Sequence, residues 1–252
     1  MIDTHCHLND AEAFPAPTVA IEAARAAGVE KLIVIGVDAD SSQSALGIAD
    51  DHPGVFASVG WHPNYAQAYS AEGLESLRQL SAKPKVVALG EMGLDFHWSY
   101  ATRAQQEACL FAQLEMASDF DLPIVLHCRE AYPELLDILE RQPSRRWIFH
   151  CFSGGADDAL RAVDLGCWFG VDGPITYKKA DSLREIVKKL PRDKILIETD
   201  SPWMAPHPHR GKPNAPALLP LINAGLAALW GVSPEESDRQ TSDNAAALFG
   251  FD

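Results

Sequence analysis

A regular alternation of strand-like and helix-like segments runs along the chain, and it limits the possible folds more than any other feature. Residues 31–37, Lys-Leu-Ile-Val-Ile-Gly-Val, are a continuous apolar run rich in β-branched residues, typical of a parallel strand buried on both faces. Strands are predicted at residues 2–8, 31–37, 55–60, 86–90, 124–127, 147–150, 167–171 and 195–198. Helices are predicted after them at residues 16–27, 41–51, 71–81, 102–117, 133–140, 156–165, 181–190 and 217–229.

Eight strands, each followed by a helix, favour one fold class. In a chain of 252 residues this pattern predicts an α/β protein built as a (β/α)₈ TIM barrel. An open doubly wound sheet is the alternative, but no Gly-x-Gly-x-x-Gly follows the first strand. Ser233, Pro234 and Glu236 form the start signal of one extra C-terminal helix. No linker-like segment divides the chain, so we predict a single domain over residues 1–252.

Composition indicates the cellular compartment of the protein. An apolar fraction of 47% is enough for one large core. No apolar run reaches the ~18–20 residues that span a membrane, and Asp3 with two histidines stands where a signal peptide needs apolar residues. The five cysteines form no Cys-x-x-Cys pair, which favours reduced thiols over a disulfide framework. We therefore expect a cytoplasmic protein with no membrane association and no evident obligate protein partner.

The charge is unevenly distributed along the chain. The net charge of −14 argues against a protein that binds nucleic acid through a broad basic surface. Residues 172–214, however, carry nine Lys and Arg against six Asp and Glu. If this segment lies near the functional site, a polyanionic substrate remains possible there.

The first predicted strand carries His5 and His7, which strand alternation places on the same face. Two imidazoles on one face of a rigid strand can bind one metal ion with little loss of side-chain freedom. His-x-His is nevertheless short enough to occur by chance. Its meaning depends on whether later strand ends supply further ligands.

The C-terminal ends of barrel strands meet around one axis, so their residues can be considered together. Ionisable side chains stand at the ends of strands one, four, five, six and eight: His5, His7, Glu91, His127, His150 and Asp200. So many buried ionisable groups would be destabilising without a metal. Six ligands exceed the three or four of one tetrahedral zinc, but they suit two divalent ions that share a carboxylate. Glu91 is the predicted bridge, and Mg, Mn, Zn and Ni all remain possible.

Two further patterns concern packing. Cys6, Cys128 and Cys151 each follow a candidate ligand directly, so alternation is expected to turn them towards the helix layer as small buried groups. Thr102 and Gln105 form a capping box that opens a long helix. Its predicted apolar stripe comprises Ala104, Ala108, Phe111, Leu114 and Ala117.

Several short segments spread over almost the whole chain form a distinctive set: residues 3–8 (Asp-Thr-His-Cys-His-Leu), 59–63 (Val-Gly-Trp-His-Pro), 90–96 (Gly-Glu-Met-Gly-Leu-Asp-Phe), 122–129 (Leu-Pro-Ile-Val-Leu-His-Cys-Arg), 150–154 (His-Cys-Phe-Ser-Gly), 198–202 (Glu-Thr-Asp-Ser-Pro) and 209–216 (His-Arg-Gly-Lys-Pro-Asn-Ala-Pro). In these segments the chain resembles the TatD family of metal-dependent hydrolases, amidohydrolase-like TIM barrels often described as TatD deoxyribonucleases. The resemblance implies one ion bound by His5, His7, Glu91 and Asp200, and a second bound by Glu91, His127 and His150.

The chain departs from the family pattern at a few positions. Met92 and Trp203 stand where Ile and a Tyr or Phe are expected, and His97-Trp98 stands where the family often has Tyr or another aromatic residue. None of these changes removes a ligand, so they bear on substrate fit. Related amidohydrolases with a carbamylated lysine bridge would have Lys in place of Glu91, which shifts the prediction moderately towards phosphodiester hydrolysis.

The predicted function is metal-dependent cleavage of nucleic acid by two-metal activation of water, as in an exonuclease on single-stranded DNA. Asp200 and Glu91 are the predicted catalytic residues, with Asp200 accepting the proton of the attacking water. His62, Arg129 and Arg210 are predicted to bind substrate at the rim of the site. For Lys178 and Lys179, phosphate binding and a solvated helix start are equally compatible with the sequence.

Other functions remain open at this point. A metal-dependent ester or amide hydrolase, such as an aminoacyl-tRNA deacylase or a lactonase, is compatible with the acidic net charge. A non-catalytic metal-binding scaffold is less compatible, because six ligands with an open face leave room for water. His97 and Trp98 are expected either to stack on a base or to form a packed loop wall.

Overall fold

The computed structural model describes residues 1–251 and shows one sheet of eight parallel strands in chain order. The strands are β1 (Ile2–Cys6), β2 (Lys31–Ile35), β3 (Val55–Val59), β4 (Val86–Asp95), β5 (Ile124–Arg129), β6 (Trp147–Phe149), β7 (Trp168–Val171) and β8 (Ile195–Ile197). The sheet closes where the segment after β8 meets β1, since a parallel bridge joins Cys6 to Ser201 and Asp200 N–H donates to His5 O at 2.9 Å. The predicted (β/α)₈ barrel is therefore confirmed.

The helices follow the strands as predicted and surround the barrel. They are α1 (Pro17–Ala26), α2 (Ala39–Asp51), α3 (Ala71–Ser81), α4 (Arg103–Ala117), α5 (Tyr132–Leu139), α6 (Ala156–Asp164), α7 (Asp181–Val187), α8 (Leu219–Trp230) and the extra helix α9 (Pro234–Phe249). Most bounds differ from the predicted ones by a few residues, as helix ends commonly do. Across residues 1–251, no single helix is long and apolar enough to cross a membrane, and only residues 216–230 with α9, bent by 104°, reach that composition together.

Strand β4 is longer than predicted, because it continues past Gly90 to Asp95. The extension pairs with β5, where Gly93 lies opposite His127. A Cβ on Gly93 would lie 1.9 Å from the backbone oxygen of His127, and its φ of +150° disfavours other residues. Glycine therefore permits the close strand approach that carries β4 into the functional end of the barrel, and it places Glu91 inside a strand.

The apolar stripe predicted for α4 is wrong at three positions. Ala104, Ala108 and Phe111 are exposed, and the buried face instead includes Gln106 and Gln113. These amides bind backbone groups: Gln106 accepts from Asp95 N–H at 2.8 Å and donates to Asp95 O at 2.7 Å. Gln113 makes the same pair of bonds with Trp61. A pattern of apolar residues could not identify this face, because two of its buried residues are glutamines whose side-chain amides are hydrogen-bonded to the backbone.

The barrel interior has its own apolar core, and α9 closes it from below. Side chains from seven strands meet there with three residues of α9: Ile2, Ile33, Ile35, Val87, Ala88, Val125, Ile148, Trp168, Leu196, Ala245, Leu248 and Phe249. A larger core fills the layer between strands and helices. With the lower end filled by packing, the upper end is left for the ionisable groups.

Backbone with positive φ occurs at that upper end. The non-glycine residues with φ between 44° and 54° are Glu130, Cys151, Asp200 and Met204, which follow β5, β6 and β8. Such conformations cost of the order of 1–3 kcal/mol each and persist where the surrounding structure fixes them. Because they lie at the C-terminal ends of the strands, they mark this face of the barrel as the place to look for a functional site.

Candidate metal centre

The first group of ligands brings together both ends of the barrel sheet. His5 and His7 from β1 and its extension approach each other with their Nε2 atoms 3.2 Å apart. Asp200, held against β1 by its bond to His5 O, places Oδ1 at 3.7 Å from His5 Nε2 and 3.5 Å from His7 Nε2. Strand alternation gives the histidines a common face, and closure of the barrel supplies the carboxylate.

Glu91 lies between this group and a second one. Its Oε2 is 3.4 Å from His5 Nε2 and 3.9 Å from His7 Nε2. Its Oε1 is 2.8 Å from both His127 Nδ1 and His150 Nε2. The two oxygens of one buried carboxylate thus face different groups of imidazoles, which is the arrangement that a bridging ligand requires.

All six predicted ligands therefore meet in one place. Three sets of side chains have ligand atoms within 4.8 Å of one another: His5, His7 and Asp200; His5, Glu91 and His150; and His62, Glu91 and His127. The third set contains a residue that we predicted to contact substrate. The structure thus raises the question of whether His62 is a seventh ligand.

The hydrogen bonds of His62 argue against metal ligation. Its Nδ1 accepts from Asn64 N–H at 3.0 Å, so a neutral ring carries its proton on Nε2. Burial lowers the pKa of His62 to about 3, which keeps the ring neutral. A protonated Nε2 has no lone pair for a metal, and it lies 3.5 Å from Glu91 Oε1. His62 therefore faces the centre as an N–H donor.

Two carboxylates that were not among the predicted ligands support the second group. Asp95 Oδ2 lies 3.0 Å from His127 Nε2, and Glu198 Oε1 lies 3.6 Å from His150 Nδ1. In each pair the other ring nitrogen faces Glu91. A carboxylate behind a metal-binding imidazole orients the ring and raises its basicity.

The sequence carries a signal for one of these carboxylates. Asp95 lies four residues after Glu91 on the same strand, and even spacing on a strand gives a common face. Glu198 depends on tertiary structure instead. A Cβ at Gly170, on the neighbouring strand β7, would lie 2.4 Å from both Glu198 carboxylate oxygens, so only glycine leaves room for them.

The electrostatics of the centre fit a site that binds cations. Burial raises the pKa of Glu91, but the imidazoles of His150, His62 and His127 outweigh it and lower the pKa well below its usual range. Burial also disfavours charge on His127 and His150, yet Asp95 and Glu91 raise the pKa of His127, and Glu91 and Glu198 raise that of His150. The carboxylates thus favour positive charge in a buried site.

The surroundings of His5 test the same conclusion independently. Its Nε2 lies 3.2 Å from His7 Nε2 and 3.4 Å from Glu91 Oε2. Burial lowers the pKa of His5, and the neighbouring His150 adds to this effect, so the ring stays neutral. A neutral imidazole whose Nε2 faces a second imidazole and two carboxylates is suited to donate a lone pair to a cation. The donor set therefore fits divalent metal ions.

Comparison with known proteins agrees with this geometry. The family model described as "TatD related DNase" matches residues 2–250. The chain belongs to this family. The match confirms the predicted family and the prediction that the protein is a hydrolase.

Individual relatives of the TatD-related family extend over nearly the full chain. The uncharacterized metal-dependent hydrolase YabD of Bacillus subtilis is 36% identical over 99% of this chain and 98% of its own. A 3'-5' ssDNA/RNA exonuclease TatD of Erwinia amylovora is 38% identical over 92% of each chain. The crystal structure of YJJV, a TatD homologue from Escherichia coli, superposes with a TM-score of 0.93 at 34% identity, covering 99% of this chain and 98% of that one.

The predicted substrate-binding arginines lie on the rim. Arg129 is the last residue of β5, and its guanidinium lies 5.6 Å from the ring centroid of Trp98. The Arg210 guanidinium lies 4.5 Å from the ring centroid of Tyr177. Within the described residues, neither side chain has a hydrogen bond or ion pair to the six ligands, so their roles remain predictions.

The cysteines follow the predicted pattern only in part. Cys6 and Cys128 are buried in the core between strands and helices, as alternation predicts. Cys151 lies beyond the end of β6 with a φ of +44°, so alternation no longer applies to it. Its N–H donates to Glu198 Oε1 at 2.6 Å. Burial raises the pKa of the Cys151 thiol, and the nearby Asp172 adds to the effect, which places this thiol beside the carboxylates at the top of the barrel.

Proposed function

We propose that this protein is a divalent-metal-dependent nuclease that removes nucleotides from single-stranded DNA or RNA. The observation that carries the proposal is the position of Glu91: a single buried carboxylate whose Oε1 and Oε2 face two different groups of ligands. Two adjacent divalent ions that share a carboxylate form the usual arrangement for cleaving phosphodiesters. The relative from Erwinia amylovora named a 3'-5' ssDNA/RNA exonuclease supports the substrate class.

The residues divide between two ions in the proposed centre. His5, His7, Glu91 and Asp200 would hold one, and Glu91, His127 and His150 the other. When bound, the ions supply a water of lowered pKa and neutralise charge on the phosphoryl oxygens. The mixed imidazole and carboxylate donors suit Mg, Mn, Zn or Ni, so the identity of the metal depends on availability.

The protein side chains carry the remaining steps. Burial raises the pKa of Asp200, but a hydrogen bond from His7 and the nearby rings of His150 and His5 outweigh it, so the carboxylate is ionised and can accept the proton of the attacking water. His62 Nε2–H is placed to donate to a phosphoryl oxygen. Arg129 and Arg210 on the rim would hold neighbouring phosphates.

A parallel assay tests this function against the ester and amide alternatives. The purified protein, loaded with Mg²⁺ or Mn²⁺, is given end-labelled single-stranded DNA or RNA in one reaction and an aminoacyl ester or a lactone in another. We expect metal-dependent shortening of the labelled strand from its 3' end. Glu91→Ala and Asp200→Ala should abolish it, whereas Glu72→Ala, an exposed carboxylate on α3, should not.

The contrary result is equally clear. Turnover of the ester or lactone with intact nucleic acid would overturn the proposal in favour of an ester or amide hydrolase. Bound metal with no turnover of either substrate would favour the non-catalytic scaffold.

Two broader predictions accompany this function. We propose that residues 1–252 act as one TatD-like domain. We also propose a cytoplasmic location, which is supported by the free thiols of all five described cysteines. Fractionation of cells that produce the protein, with a known cytoplasmic marker as reference, would test the location.

A further inference from the structure

Two exposed aromatic side chains and an arginine form a continuous surface beside the metal centre. Trp98 and Tyr100, in the loop after β4, are 45% and 61% exposed. Their rings stack with centroids 5.7 Å apart and planes inclined by 30°. The Arg129 guanidinium lies 5.6 Å from the Trp98 centroid. We call Trp98, Tyr100 and Arg129 the aromatic platform.

Asp95 fixes the aromatic platform relative to the candidate ligands. Its Oδ1 accepts from His97 N–H at 3.0 Å and from Trp98 N–H at 3.1 Å. Its Oδ2 lies 3.0 Å from His127 Nε2. One buried carboxylate thus connects the backbone of Trp98 to a ring that faces Glu91. The platform is therefore positioned by the same network as the centre.

The platform borders an open cleft at Arg129. The cleft has a volume of about 360 Å³ and is lined by Arg129, Glu130, Tyr132, Ser153, Gly154 and Asp158, among others. The carboxylate of Glu130 lies at this edge, but His97 Nδ1 binds it at 2.7 Å. Among described residues, the Arg129 guanidinium has no ion-pair partner, so it can meet an incoming anion.

We propose that the aromatic platform binds one unpaired base of a single-stranded nucleic acid, with Arg129 holding a phosphate next to it. This inference rests on the proposed function and names a subsite for its substrate. An indole stacks on any base, and the interaction is lost when the base face is covered by its neighbours in a duplex. The platform would therefore select single strands without selecting sequence.

Packing alone does not account for these side chains. Trp61, in the loop after β3, is 6% exposed and its indole N–H donates to Tyr65 O at 2.9 Å. Trp98 and Tyr100 instead leave about half of their surface open next to a charged centre. Exposed aromatic residues that stand alone occur elsewhere in the chain, such as Phe111 at 47%, but here two of them stack on each other beside an arginine.

A binding measurement in EDTA tests the subsite without turnover. Fluorescence anisotropy compares a labelled single strand with its duplex, using the wild type, Trp98→Ala and Trp98→Phe. The wild type should prefer the single strand, and Trp98→Ala should weaken that binding by about 5- to 140-fold, the range for one stacked base. Trp98→Phe should retain most of the affinity, because it keeps a stacking face.

Phe111→Ala is the matched control for this measurement. Phe111 is an aromatic residue of similar exposure, 47%, on α4. Its replacement should leave the dissociation constant unchanged. Equal affinities of Trp98→Ala and Phe111→Ala, or equal binding of single strand and duplex by the wild type, would overturn the subsite. The subsite would also be overturned if Trp98→Ala lost binding together with a lowered melting temperature and Trp98→Phe did not restore the binding.

A coupling experiment with the metal-loaded enzyme then distinguishes failure of the subsite from failure of the function. Single strands with one abasic residue, moved position by position, are digested by the wild type and by Trp98→Ala. At one position the missing base should raise KM in the wild type and have little further effect in Trp98→Ala, because both changes remove the same contact. Additive effects at every position would overturn the subsite, whereas no digestion of any strand by the wild type would overturn the proposed function.

Discussion

The histidines of the centre use their two ring nitrogens for different tasks. His127 and His150 each direct one nitrogen to Glu91 and the other to a supporting carboxylate, Asp95 or Glu198. His62 instead accepts a backbone N–H on its second nitrogen, so its own proton lies on the nitrogen that faces the centre. The residue type is the same, but the partner of the remote nitrogen decides whether the ring can bind a cation or donate a proton.

Removal of one imidazole tests the division of ligands. His7 lies beside His5, Asp200 and Glu91 Oε2, on the side away from Oε1. We expect His7→Ala to lose one metal equivalent while the site of His127 and His150 stays loaded. Metal content per protein after gel filtration, measured by atomic spectrometry, checks this. Equal loss of both ions would show that the two sites do not divide in this way.

The buried Asp3 predicts a specific dependence of stability on pH. Burial raises the pKa of Asp3 from 3.8 to about 7, although Thr199 donates hydrogen bonds to both carboxylate oxygens. Between these values the folded protein holds a proton that the unfolded chain has released. The contribution of Asp3 to the free energy of unfolding is therefore present below pH 4 and lost as the pH rises towards 7.

Asp3→Asn isolates this contribution because the amide does not titrate. In EDTA, the free energy of unfolding of the variant minus that of the wild type should increase from pH 4 to pH 7 by up to about 1.4 kcal/mol per pH unit. This difference should then level off at higher pH. Urea titrations of both proteins at several pH values measure the difference. A difference that is constant with pH would mean that Asp3 has an ordinary pKa in the folded protein.

At the scale of elements, α4 shows which signals in the sequence are dependable. Its start was predicted from the capping box, and Thr102 Oγ1 does accept from Gln105 N–H while the Gln105 side chain accepts from Thr102 N–H. Its buried face matches the prediction only at Leu114 and Ala117, because Gln106 and Gln113 are buried where an apolar stripe is expected. Caps depend on neighbours within one turn, whereas the buried face depends on what the distant strands need.

The cap of α4 should make a measurable contribution to stability. Thr102→Ala removes the acceptor for Gln105 N–H at an exposed helix start. We expect the free energy of unfolding to fall by about 1 kcal/mol. Thr102→Ser keeps the hydroxyl and should remain within ~0.5 kcal/mol of the wild type. Urea denaturation of both variants gives the comparison, and similar losses in the two would assign the effect to the methyl group.

At the scale of the whole molecule, the two ends of the barrel have opposite roles. The lower end is filled by apolar side chains and closed by α9, whose Asn244 donates to Arg192 O at 2.7 Å and to Ile195 O at 2.8 Å. The upper end concentrates buried ionisable groups and positive-φ residues. Stability gained at one end offsets electrostatic cost and strain at the other.

Leu248→Ala tests the role of α9 in the barrel core. Leu248 is 1% exposed and packs among the interior strand residues. Its truncation should lower the free energy of unfolding by about 2–5 kcal/mol, because it leaves a cavity under the barrel. Leu160→Ala, at a residue that is 65% exposed on α6, should change it by less than about 0.5 kcal/mol. Chemical denaturation checks both, and a small effect at Leu248 would mean that α9 does not seal the barrel.

The sequence by itself determined the barrel and the six residues that meet at the centre, and its motifs carried the resemblance to the family. The barrel and the six residues depend on local periods and on the rule that parallel strand ends converge, so no distant contact had to be known. Only the tertiary structure decided that Glu91 faces both groups of ligands, that Glu198 lies behind His150 because Gly170 makes room, and that Trp98 is tied to His127 through Asp95. Those features depend on the orientation of individual side-chain atoms, and contacts between strands that are far apart in sequence determine that orientation.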